Sequence, residues 1–125
     1  MNNCQLTFWG RTLTLNIEYD CFEGEDITLS QKTAYDEFYR SADKVLNESK
    51  HIVENYCLQN DKEKIGQNSI DNIFKYVMPK TIYIERSSKH VVAVLCAYRF
   101  NPEEGLAIVF EDCKFKEIGT ENIIF

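Results

Sequence analysis

Leu13, Leu15, Ile17 and Tyr19 alternate with Thr12, Thr14, Asn16 and Glu18. A strict period of two sets one face on a core and the other in water, which predicts a strand. The preceding run "CQLTFW" predicts a second strand, and Gly10 between the two supplies the backbone freedom of a tight connection. The period then changes. Tyr35, Phe38, Ala42, Val45, Ser49, Ile52 and Tyr56 step by three and four, with Ala34, Leu46 and Val53 widening the stripe, which is the spacing of one helix face. Thr28 followed by Gln31 fits a capping box, with Ser30 as a competing cap. Sustained to Cys57, this helix would run roughly 40 Å at 1.5 Å per residue, so a break near "LNESK", with Asn47 capping a second helix, is the alternative. Ser49 interrupts any coiled-coil seam, and core packing is the better reading of the stripe.

A polar loop around Gly66 is followed by a short helix, with Ser69 as cap and Ile70, Ile73, Phe74 and Val77 on one face. It is expected to end near Pro79, because the residue before a proline is pushed out of the helical region. The last third is a run of strands: "TIYIER", "HVVAVLCAYRF", "LAIVFED", "FKEIG" and a final extended piece, "NIIF". Val91–Phe100 is apolar on both faces and is expected to be an inner strand with helices on one side. The pattern predicts an α+β fold: an N-terminal strand pair, one long or broken helix plus a short helix, then an antiparallel meander packed on the helices.

Length and composition agree with a single domain, 1–125. A chain of 125 residues with 44% hydrophobic and 13% aromatic residues can build a core without staples. The first residues lack a basic start and apolar run, and the longest apolar stretch, Val91–Tyr98, is far short of the ~20 residues of a membrane helix. The expected location is therefore the cytoplasm. Five cysteines, Cys4, Cys21, Cys57, Cys96 and Cys113, show no CxxC or CxH spacing, so free thiols are expected, with Cys57 and Cys96 as buried small hydrophobes. The net charge is −6, of which residues 1–60 carry −5. A nucleic-acid binder needs a basic stripe, and an anionic membrane attracts basic segments. Both partners are disfavoured.

The candidate chemistry is sparse. "NPEEG", residues 101–105, places Glu103 and Glu104 side by side, but every residue in it suits a hairpin turn, and neighbouring carboxylates in a strand project to opposite sides. His51 and His90 are read as surface residues, and Ser87 or Ser88 beside His90 does not make a triad. No Walker loop, GxGxxG or HExxH is present, so neither cofactor nor metal is expected. Trp9 is read as core or core edge. The informative segment is acidic: Glu18, Asp20, Glu23, Glu25 and Asp26 fall within nine residues that hold no Lys or Arg, interleaved with Tyr19 and Phe22. Its spacing does not match an EF-hand. Asp20, Phe22, Glu23, Glu25 and Asp26 are the candidate partner-binding residues, with the charge steering a basic protein and Phe22 as anchor.

"FWGRTLTLNIEYDCFEGEDITLSQKTAY", "NIFKYVMPKTIYIER" and "YRFNPEEGLAIVFEDCKFKEIGTENII" together resemble a group of small bacterial proteins classed as domains of unknown function. The shared features are a W-G strand pair, an "SQ..A" helix start, and a closing hairpin followed by an "EIG" motif. Glu104 stands where many such sequences carry histidine. Similar closing hairpins occur in families linked with toxin immunity, acidic cytosolic proteins that bind and block a toxin. The resemblance implies a fold and brings no catalytic residue. Two expectations follow: a non-enzymatic binding module acting through a protein interface, or a small-molecule binder or enzyme with a pocket between sheet and helices.

Overall fold

The computed structural model describes residues 2–125. Strands β1 (Asn3–Phe8) and β2 (Arg11–Tyr19) pair antiparallel from Asn3↔Asn16 to Phe8↔Arg11. They turn through Trp9 and Gly10, at φ 51° and 89°. Two central residues at positive φ make the hairpin turn whose twist matches that of the strands. A bulky residue is uncommon there, and Trp9 is held by what its ring touches. It is buried edge-on to Phe8 and tilted against Phe74, and its Nε1 donates to Ser49 Oγ at 3.1 Å.

The helix α1 spans Leu29–Ile65 without a break at Asn47. Its 37 residues reach about 55 Å. Ser49, which interrupts the apolar seam, does not break the helix because its hydroxyl is satisfied, donating to the Leu46 carbonyl at 2.6 Å and accepting from Trp9. The capping box is present: Gln31 N–H donates to Thr28 Oγ1, and Thr28 N–H to Gln31 Oε1. The helix outruns the predicted end at Cys57 and continues to Gly66, left-handed at φ 76°, whose N–H donates to the Lys62 carbonyl at 2.9 Å. Its last turns are kinked at Asp61 (φ −137°, ψ 29°). There the Asp61 carboxylate accepts the Tyr98 hydroxyl at 2.5 Å. A polar helix end with its stripe exhausted carries no periodic signal, which is why it reads as a loop.

The predicted short helix is a 3-10 turn, Ile73–Lys75, capped by Asn72 rather than Ser69. Val77, Met78 and Pro79 already belong to strand β3 (Val77–Ile84). Proline is tolerated there because β2 covers β3 only from Thr81 onward, and a missing N–H costs little on an uncovered side. The register against the next strand shifts between Pro79 and Thr81. Strands β4 (Val91–Tyr98), β5 (Leu106–Glu111) and β6 (Lys114–Gly119) complete the sheet, in the order β1-β2-β3-β4-β5-β6. All neighbours are antiparallel except β2 and β3, which run parallel from Asn16↔Thr81 to Tyr19↔Ile84. Parallel neighbours need a long crossover, and α1 is its helical part. The last segment is a 3-10 turn, Glu121–Ile123, not an extended piece.

The fold is thus α+β, with α1 on one face of the sheet. Ala34, Phe38, Leu46 and Val53 of α1 are buried with Phe8, Leu15, Ile82 and Phe110 of the sheet. β4 is buried on both faces, as its continuous apolar run predicts. On the far face Tyr83, Ala93, Leu95 and Val109 form a smaller cluster, closed by Ile123 and Ile124, with Phe125 edge-on to Tyr83. The five cysteines are unpaired, with Cys57 and Cys96 buried. No helix among the described residues is long and apolar enough to cross a membrane.

Candidate functional site

The acidic segment becomes a loop joining β2 to α1, fastened at three points. Its entry extends the parallel ladder, with Asp20 N–H donating to the Ile84 carbonyl at 3.0 Å. Its exit is held by Gln31, which is fully buried although polar. Gln31 Nε2 donates to the carbonyls of Asp20 at 2.9 Å and Ile84 at 3.3 Å, while Oε1 accepts from Thr28. The third point is Arg86, arriving from the β3–β4 loop. Its guanidinium donates to Glu25 Oε2 at 3.0 Å, to the Asp26 carbonyl at 3.2 Å and to Cys21 Sγ at 3.5 Å. Its backbone N–H donates to Asp20 Oδ2 at 3.5 Å. A tight turn closes the loop tip, Glu25 N–H donating to the Phe22 carbonyl at 3.0 Å.

These contacts divide the five candidate residues. Asp20 and Glu25 spend their carboxylates partly on the loop's own architecture, and Asp26 does so through its carbonyl. Burial, and then the neighbouring Asp20 carboxylate, push the Tyr83 hydroxyl up to about 12. Phe22 has no such use: 75% of its surface is exposed, and Glu23 beside it is exposed too. Leu29, at the first position of α1, is 80% exposed. Arg86 is the residue the sequence reading misses. It lies 61 positions from Glu25 in the chain, and only the parallel pairing of β2 and β3 brings it to the loop.

The "NPEEG" carboxylates diverge. Glu104 accepts from Asn101 Nδ2 at 3.3 Å within the turn, whereas Glu103 lines a small cleft of about 210 Å³ on the far face with Lys80 and Glu121. Gly105 sits at φ 61°, where an added Cβ would lie 2.7 Å from the Cys96 carbonyl. The turn is a turn. His90 Nδ1 lies 2.6 Å from Glu37 Oε1, and His51 bonds Asn55 on the exposed side of α1. Among the described residues no group of three or more His, Cys, Asp or Glu is placed to hold a metal ion. A depression of about 370 Å³ is lined by consecutive residues 58–64 of α1 alone. A ligand pocket draws polar groups together from several elements, and this depression does not.

A family model described as "Domain of unknown function (DUF6985)" matches residues 2–125. No curated protein and no solved structure matches the chain.

Proposed function

The chain belongs to the DUF6985 family, a domain of unknown function, and from the geometry of its β2–α1 loop we propose that it is a non-enzymatic binding module for a basic protein partner. The observation that carries this reading is Phe22, three-quarters exposed on a loop that Arg86 and Gln31 hold in place. An aromatic anchor on a fastened loop loses little freedom on binding, which favours affinity. Around it Glu23, Glu25, Asp26 and Asp20 outnumber the single guanidinium of Arg86, leaving a negative field to steer a positive surface. An immunity-type role, in which the partner is a basic toxin, is the form of this activity that agrees with the resemblance of the closing hairpin. On this reading the protein works in a bacterial cytoplasm and needs neither cofactor nor nucleic acid.

The test begins with the basic protein recovered on the tagged chain from its source, identified and purified, and then measures association by stopped flow. Glu23→Lys with Asp26→Lys leaves the Glu25–Arg86 contact intact. It should slow association by about tenfold or more at low salt, with the difference shrinking as salt rises. Phe22→Ala should instead raise the dissociation rate, weakening affinity by about 30-fold if Phe22 is a hot spot worth about 2 kcal/mol. Unchanged rates for both variants would remove this loop from the interface.

A further inference from the structure

The two edges of the sheet are protected differently. β6 carries Lys114, Lys116 and Glu117, meets β5 through a shifted register at Val109–Phe110, and ties Lys116 to Glu111 at 3.2 Å. Charge and bulges are ordinary means of keeping another strand off an edge. β1 has neither: Asn3–Phe8 contains no charged residue and no proline, and it runs against β2 without a register shift.

The hydrogen-bonding phase of β1 follows from its hairpin. Residues flanking a two-residue turn exchange both bonds, so Phe8 bonds Arg11, and by alternation Leu6 and Cys4 also direct their N–H and C=O groups at β2. The Asn2 carbonyl, accepting from Ile17 N–H at 2.9 Å, keeps the same phase. The N–H and C=O groups of Asn3, Gln5 and Thr7 therefore point away from the sheet, and no backbone group among the described residues bonds them.

We propose that β1 is the docking edge for a second copy of this chain, paired antiparallel about a two-fold axis at Gln5. This register matches the free groups: Gln5 faces Gln5 of the second copy, and Asn3 faces Thr7, each pair exchanging both hydrogen bonds. It also keeps the faces in step. On the exposed face Gln meets Gln and Asn meets Thr, and on the helix face Cys4 meets Leu6, both apolar and buried. Like charges directly opposite destabilise a strand pair; in a chain of net charge −6, β1 is a strand that can pair with itself without that penalty. The contact is isologous and closes at two subunits, although each two-fold pair still leaves its β6 edges charged. Apolar surface continues from this edge onto α1. Tyr39, 46% exposed, stacks at 5.8 Å on Tyr35, which lies against Cys4.

Sedimentation of the full chain over a concentration series reads the outcome. The wild type should approach twice the 14.6 kDa of one chain. Gln5→Pro removes an N–H that β2 does not use, and proline is tolerated on the outward side of an edge strand, so this variant should keep its circular dichroism and sediment as one chain. Gln5→Cys provides a readout that does not depend on that variant folding. Opposed Cα atoms in such a pair are about 5.5 Å apart, within disulfide reach. Mild oxidation should therefore give a covalent dimer well beyond any formed by the wild type or by Asn3→Cys. A wild-type chain that stays at one-chain mass throughout overturns the proposal. A dimer that survives Gln5→Pro, or fails to cross-link through Gln5→Cys, overturns it equally.

Discussion

Gly105 and Glu103 stand two positions apart in one turn and should respond to substitution in opposite ways. Glu103 is exposed, and Glu103→Ala should change stability by no more than about 0.5 kcal/mol. Gly105→Val forces a β-branched residue to φ 61° and drives its Cβ into the Cys96 carbonyl. The backbone conformation alone should cost about 1–3 kcal/mol, readable as a lower urea midpoint. Cys57 allows a second test at this scale. Burial on the inner face of α1 pushes its thiol from 9.0 up to about 11. Below pH 9 the thiol is protonated in both states and contributes nothing. Between 9 and 11 the unfolded chain releases the proton and the folded chain keeps it, so stability falls as pH rises, by up to about 1.4 kcal/mol per unit. Tyr83, pushed up to about 12, extends the decline further into alkali. Urea midpoints across this range should fall less steeply for Cys57→Ala than for the wild type. Equal slopes would mean that Cys57 titrates normally in the fold.

Among the elements, α1 shows how one residue can serve two structures. Thr28 caps the helix, and Thr28→Ala should cost about 1 kcal/mol. Gln31 completes the same capping box but also holds the Asp20 and Ile84 carbonyls. Gln31→Leu is close in size, yet it leaves the Asp20 carbonyl and the Thr28 N–H without their partner. A loss of roughly 2–3 kcal/mol is expected, larger than for Thr28→Ala. Chemical denaturation of the two variants side by side checks the order, and a smaller loss for Gln31→Leu would show that the loop does not depend on it. The capping box was legible in the sequence because it is local, a matter of three residues' spacing. The second role was not, since both carbonyls lie on the ends of paired strands. For the same reason β3 was read short. Its opening residues, Val77 to Pro79, carry helical spacing with Ile73 and Phe74, and only the uncovered flank beside β2 makes a strand proline acceptable.

At the scale of the molecule, charge and topology meet at the β2–α1 loop. Residues 1–60 hold most of the negative charge, and the loop gathers four carboxylates of it beside an exposed aromatic. The effect of Glu23→Lys with Asp26→Lys on association should therefore be greatest at low ionic strength and fade once the screening length falls to about 8–10 Å. An effect independent of salt would assign these side chains a contact role instead of a steering one. Short-range spacing along the chain encodes the W-G hairpin, the amphipathic stripe of α1, the doubly buried β4, the "NPEEG" turn and the α+β class. Each of these is written in periodicity or turn chemistry within a few residues. Long-range contacts set the rest: β2 and β3 lie parallel, α1 passes Asn47 without a break because Trp9 and Leu46 satisfy Ser49, and Arg86 enters the acidic loop. Those outcomes rest on partners 40 to 61 residues apart in two of the contacts, Trp9 with Ser49 and Glu25 with Arg86. No local pattern records a pairing between segments that meet only when the sheet has formed.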